Sequence, residues 1–316
     1  MMAHSADGKW IDGLTPTTPV AEAARRVLAT RLDVVRHYLG LALRASAEDP
    51  EYVHQLRVGT RRAAAALEIF AGCFPAPARD TFAQQLNALR RAAGQARDWD
   101  VFLINLPPAA KAQPRLRPGL DCLAGYAHGQ RLRAEKRLPS AFPAGPEAFG
   151  LWVESVLAAV QPPADGSATL RDLAVPMLTN LVSQLIQAAD GDRTDFDQLH
   201  QVRIIGKQLR YAMEVFACCF APPFREQLYA EVEAMQEILG RLNDSYVAIG
   251  RLRELTQQLR RDPRGWRRWR PAMVGLIRHH RRCLLQERRR FEVWWAGWQR
   301  ADAAAAFLAL LEPEPA

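Results

Sequence analysis

VHQLRVGTRRAAAALEIFAGCF, residues 53–74, and LHQVRIIGKQLRYAMEVFACCF, residues 199–220, are two versions of one pattern. The offset of 146 holds without a gap from His54 to Leu103, where about 15 of 50 positions are identical and most others exchange one apolar residue for another. Gly94 falls on Gly240, Asp98 on Asp244 and Val101 on Val247; upstream, Leu32, Val35 and Leu39 fall on Leu178, Leu181 and Leu185. A fourth, weaker match needs an offset of 152, which pairs His128 with His280 and Glu135 with Glu287. Self-similarity at a fixed spacing is the mark of a repeated structural unit.

The period inside each copy is helical. Val53, Leu56, Thr60, Ala63, Leu67, Phe70 and Phe74 recur every three or four residues, and Leu199, Val202, Gly206, Leu209, Met213, Phe216 and Phe220 answer them. Breaks fall where Pro gathers, at Pro75 and Pro77, Pro107-Pro108, Pro139 to Pro146, Pro162-Pro163 and Pro222-Pro223. No segment alternates with period two. The expected fold is all-α: two four-helix bundles, residues 20–160 and 168–312, related by a pseudo-twofold axis after an internal duplication. Residues 1–19 read as a flexible leader.

Composition narrows the partner. The chain of 316 residues is 49% hydrophobic and 24% charged, with a formal net charge of +8, which fits a soluble globular protein with an acidic partner. Between Arg251 and Arg300 there are 15 Arg against four acids, so the rest of the chain is slightly negative. Arg outnumbers Lys 38 to four. A GC-rich genome would produce this bias; so would a need to fork guanidinium groups onto phosphate oxygens. Five cysteines without a CxxC fit reduced core thiols, and no apolar run reaches the roughly 18 residues of a membrane span. A cytoplasmic location, with no membrane contact, is the expectation.

Chemistry concentrates beside the apolar seam of the repeated helix. With Val53 at heptad position a, His54, Arg57 and Arg61 fall at b, e and b, and His200, Arg203, Lys207 and Arg210 repeat them. These positions lie at about 40° and 100° on a helical wheel, a narrow wedge. Small or apolar residues flank it: Val58, Gly59, Ala65 and Ala66 in one copy, Ile204, Ile205 and Ala212 in the other. A merely solvated face is broad and mixed in sign. A wedge of cations bounded by apolar residues suits a wet groove that receives an anion, and two such wedges facing each other would form a channel for a repeating one.

The runs His54-Gln-Leu-Arg57-Val-Gly-Thr-Arg61-Arg62 and His200-Gln-Val-Arg203-Ile-Ile-Gly-Lys207-Gln-Leu-Arg210-Tyr211 resemble the two halves of the CHAD domain, the conserved histidine α-helical domain. Gly94-Gln-Ala-Arg97-Asp98-Trp-Asp100-Val101 is similar to that family's segment after the third helix. The resemblance covers nearly the whole chain beyond residue 20. It implies a stand-alone, non-catalytic module that binds inorganic polyphosphate, often at polyphosphate granules beside other granule proteins. The implied site is His54, Arg57, Arg61, Arg62, His200, Arg203, Lys207 and Arg210. A pore-like geometry would add Arg97, Arg131, Lys136, Arg282 and Arg288. The copies differ at Arg62, where the second has Gln208, and at Arg210, where the first has Ala64, so a lopsided site is expected.

Other chemistries find less support. His54 and His200 have no carboxylate three or four residues away towards their C-terminal side, so no metal is expected, and no cofactor motif is present. Asp98 and Asp244 read as residues that fix a helix end or orient an arginine of the wedge, not as catalytic acids. His279 and His280 read as part of the basic tail. The competing partner is single-stranded nucleic acid, through Arg264-Gly-Trp266-Arg-Arg-Trp269-Arg270, where rings and arginines interleave. The same spacing lets Trp266 and Trp269 pack inward as core.

Overall fold

The computed structural model describes residues 8–46, 48–108, 111–142, 145–164 and 166–312. Among them are ten α-helices and no β-strand. The first half holds α1 (Val20–Ala45), α2 (Glu51–Ile69), α3 (Ala76–Ile104), α4 (Arg117–Glu135) and α5 (Gly145–Ala158). The second holds α6 (Leu170–Ala189), α7 (Phe196–Phe216), α8 (Tyr229–Leu259), α9 (Pro263–Arg300) and α10 (Ala303–Leu311). Local chemistry fixes several starts. Thr169 and Asp172 close a capping box on α6, the Asp195 carboxylate accepts from the Asp197 amide, and Asp262 accepts from the Arg264 and Gly265 amides.

The packing order is the same in both halves. α1 lies on α2, α2 on α3 and α3 on α4; α6 lies on α7, α7 on α8 and α8 on α9. Each half adds a fifth helix to the four expected, α5 against α1 and α10 against α6 and α9. The halves meet through α2 on α7 and α4 on α9. At the second meeting Gly119 is required: a Cβ there would stand 2.5 Å from Ala272 Cβ and 2.7 Å from the Trp269 carbonyl oxygen.

The apolar cores do not follow the division into halves. One cluster takes Leu28, Leu56, Leu67 and Phe70 from the first half together with Leu178, Leu209, Phe216 and Trp295 from the second. The other joins Phe102, Leu120 and Leu123 to Leu252, Leu255, Met273 and Leu276. α3 and α8 run from one cluster to the other, and the space between is the cavity described below. Residues 8–19 are docked, which corrects the expectation of a flexible leader there; residues 1–7 lie outside the described residues. Trp10 packs edge-on against Tyr229 at 4.9 Å, Lys9 pairs with Glu233 at 3.2 Å, and Leu14 is buried. Val20 N–H donates to Ala168 and Leu170 N–H to Thr18, a reciprocal pair that ties the two starts together.

The most demanding contact is polar. Glu214 on α7 is buried, with Arg62 Nε at 2.9 Å, Arg210 Nη1 at 2.9 Å, Arg31 Nη2 at 3.6 Å and the Tyr229 hydroxyl donating at 3.0 Å. Burial pulls the Arg31 guanidinium down to about 10, against the opposing pull of Glu214. Its repeat counterpart, Glu68, is exposed. Glu214→Ala would leave Arg31 and Arg62 buried without their carboxylate and should cost about 3–5 kcal/mol. Glu68→Ala should change stability by under ~0.5 kcal/mol. Chemical denaturation of the two variants checks this, and equal losses would remove Glu214 from its structural role.

Candidate anion-binding cavity

α2, α3, α7 and α8 wall a cavity of about 950 Å³, closed on one side by Leu276 and His280 of α9. His54, Arg57 and Arg61 enter it from α2; His200, Arg203 and Lys207 enter from α7. The two wedges therefore face one space. Around it stand eight Arg and Lys side chains against three carboxylates, Glu68, Asp98 and Asp244, so the lining is strongly positive.

Several cations are held in place. Asp98 Oδ1 accepts from Arg57 at 2.7 Å, and Asp98 Oδ2 from Arg251 at 3.2 Å, which joins α2, α3 and α8 through one carboxylate. Arg251 also lies 4.8 Å over the Trp99 ring. Tyr211 lines the same space and helps hold the charge of Arg61 against burial. Asp98 thus orients a wedge arginine, as its position in the sequence suggests.

Crowding shows in the titration of the lining groups. Burial, then Arg61, Arg203, Arg57 and Arg210 in turn, push the Lys207 amine down to about 6. Burial and Arg97 lower His54, and burial and then Arg61 lower Arg203. Burial raises Asp244, against the pull of Arg203. Like charges are crowded along these walls. An anion among them would relieve that repulsion, an arrangement that suits a groove better than a core.

Six of the residues expected at the site lie outside its lining, four of them held by carboxylates. Arg62 is buried on Glu214, and Arg210, half-buried, pairs with the same carboxylate. These are two of the positions that distinguish the copies, and their counterparts Gln208 and Ala64 do line the cavity. The lopsidedness expected from these two positions therefore belongs to the junction between the halves, while Arg97, opposite Asn243 in the repeat, makes the lining itself unequal. Arg131 is drawn to Asp100, Glu135 at 2.8 Å and the Ser46 carbonyl at 2.9 Å; Arg288 pairs with Glu292 at 3.5 Å. Lys136 and Arg282 are exposed and outside the lining, whereas Arg97 is within it.

Sequence reading missed Arg90, Arg91, Arg251 and His280. The first two have Gln236 and Glu237 as repeat counterparts, so nothing in the repeat marked them. Arg251 stood at the edge of the basic tail. His280 is buried and lines the cavity, a correction to its reading as part of that tail, although the weak pairing with His128 had singled it out. Trp266 and Trp269 pack against the second core, so the rings that a single-strand reading needs are turned inward. Among the described residues no group of three or more His, Cys, Asp or Glu is placed to hold a metal, and no helix is long and apolar enough to cross a membrane.

Lys207 carries a testable sign. Its folded value of about 6 lies below the ordinary 10.5, so between these limits the unfolded chain holds a proton that the folded one lacks. Stability from this group is then lowest below about 6 and rises with pH across that window. Lys207→Met should raise the melting temperature at pH 7 by roughly 2 °C or more. It should also flatten the rise of stability between pH 6 and pH 9. A lower melting temperature, with the rise intact, would mean that the amine is not strained.

Comparison with known proteins agrees with this architecture. The model of the CHAD domain matches residues 26–253. The chain is similar to the crystal structure of the CHAD domain from the plant Ricinus communis, at 23% identity over 98% of each chain with a TM-score of 0.65. It is also similar to PptA from Streptomyces chartreusis, at 19% identity over 88% of this chain and 100% of that one, with a TM-score of 0.68. No curated protein matches. At such identities the two structures speak for the fold alone, but the family match runs from α1 into α8 through both His-x-x-Arg helices, and the chain belongs to the CHAD domain family.

Proposed function

We propose that this chain binds inorganic polyphosphate in the cavity between α2 and α7, as a stand-alone module without catalysis of its own. The observation that carries the reading is the convergence of Arg57, Arg61, Arg203 and Lys207 on one space, two from each copy of the repeat. A chain of identical phosphates offers the same group at regular intervals, and near-equivalent walls can hold it from both sides. Arg supplies forked donors that match phosphate oxygens, and His54, His200 and His280 can add further donors. The CHAD resemblance implies the same ligand. It also implies a place on polyphosphate granules, among other granule proteins.

Affinity should depend on which cations are removed and not on how many. Arg203→Ala with Lys207→Ala removes one partly desolvated guanidinium and one amine that regains its proton beside phosphate, and should weaken polyphosphate binding about a hundredfold or more, at 1.5–3 kcal/mol for each charged contact. Arg267→Ala with Arg268→Ala removes two exposed charges and should change the affinity of the tight site less than about threefold. Calorimetry with helicity checked on both variants makes the comparison. Equal losses would reduce binding to general electrostatics. Wild-type affinity should also fall steeply with salt, and pyrophosphate should bind far more weakly than a chain long enough to touch both walls. Equal affinity for pyrophosphate and for long chains would overturn the shared site.

A further inference from the structure

α9 spans 38 residues, about 57 Å at 1.5 Å per residue. Its inner face buries Met273, Leu276, His280, Glu287, Phe291 and Trp295. Its outer face is of another kind. Arg267, Arg268, Arg278, Arg281, Arg282 and Arg289 are all exposed, and none of them has a carboxylate partner among the described residues. Between Arg264 and Arg289 the only acid is Glu287, which is turned inward and held by Arg241 at 3.0 Å and Arg290 at 2.6 Å.

Genome composition does not account for this face. A GC-rich genome adds Arg but does not remove acids, and elsewhere in the chain Arg36, Arg57, Arg62, Arg131, Arg210 and Arg251 stand beside carboxylates. On the outer side of α9 no acid stands between Arg264 and Arg289, although Arg278, Arg281 and Arg282 are spaced so that like charges meet at i, i+3 and i, i+4, which weakens a helix. Such a face lowers the stability of the free molecule slightly and becomes favourable only against an external anion.

We propose that the outer face of α9 is a second, shallow site for a phosphate chain, so that one molecule joins two chain segments. The proposal rests on the reading of the cavity as the first site. Leu276 and His280 line that cavity from the inner side of the same helix, so the two sites stand back to back and a chain in one leaves the other free. The chemistry of the face favours a base-free chain. Its exposed large apolar residues are Val274, Leu285 and Val293, none of them an aromatic ring on which a base could stack. These three are isolated between arginines and form no continuous stripe of the kind that enters a bilayer surface. A file of guanidinium groups along one helix, from Arg278 to Arg289, suits a flexible linear polyanion lying parallel to it.

The test uses the full chain with long-chain polyphosphate and follows particle size by light scattering. The wild type should form growing assemblies at intermediate ratios, and these should dissolve when polyphosphate is in excess. The triple variant Arg278→Gln, Arg281→Gln, Arg282→Gln should bind a short chain in the cavity within about threefold of wild type, yet form no growing assemblies. Assemblies that persist in the triple variant overturn the proposal. So does loss of short-chain binding in that variant, because the arginines would then belong to the first site. A duplex or single-stranded oligonucleotide that displaces polyphosphate from this face at equal charge overturns it as well, and assigns the face to nucleic acid. Running Arg203→Ala with Lys207→Ala alongside separates the two claims. If that variant binds the short chain as wild type does while the triple variant does not, the cavity reading fails as well, because the arginines of α9 are then the first site and not a second one.

Discussion

A single buried carboxylate governs how the two halves of this molecule fit. Glu214 accepts from Arg62 on α2, from Arg210 on its own helix and from Tyr229 on α8, with Arg31 of α1 beside it. No one of these groups is tolerable there without the others, since an uncompensated charge in an apolar interior costs several kcal/mol. The arrangement specifies the approach of α2 to α7 and thereby sets the width of the cavity whose walls those helices form. The repeat supplies two equivalent positions, and only one of them is used in this way; Glu68, the other, faces the cavity.

Placing the ions at the junction leaves the cavity with a different balance. Arg57 and Arg251 share Asp98, but Lys207 and Arg203 sit among other cations, and the amine is pushed down to about 6. The same crowding that strains these groups would favour an anion among them. The cost is borne because two apolar clusters, one at each end of α3 and α8, hold the walls in place. Packing strength and the concentration of positive charge are therefore located in different parts of the structure and joined by long helices.

The sequence made the helices legible because the apolar spacing is regular in both copies and the breaks fall at prolines. The wedges were legible as well, since positions b and e are flanked by small residues and project together. Arg62 was misplaced although the signal existed: it falls at c, about 100° beyond Arg61, and so turns away from the wedge. Arg210 does share the direction of Arg203, but Glu214 follows it at i, i+4, and the buried partner wins. For Arg131 the competing carboxylates, Asp100 and Glu135, come from two helices and only the fold brings them together. Arg90, Arg91 and Arg251 have no cationic counterpart in the other copy, so a reading built on the repeat passed over them.

The reciprocal hydrogen bonds between residues 18–20 and 168–170, the shared apolar cluster and the ions around Glu214 all cross from one copy to the other. Neither copy contains a complete interior of its own. A sequence that reads as two modules is for this reason a single cooperative unit: its halves lose their structure together, in one thermal transition, and half a chain made alone has no native state to reach.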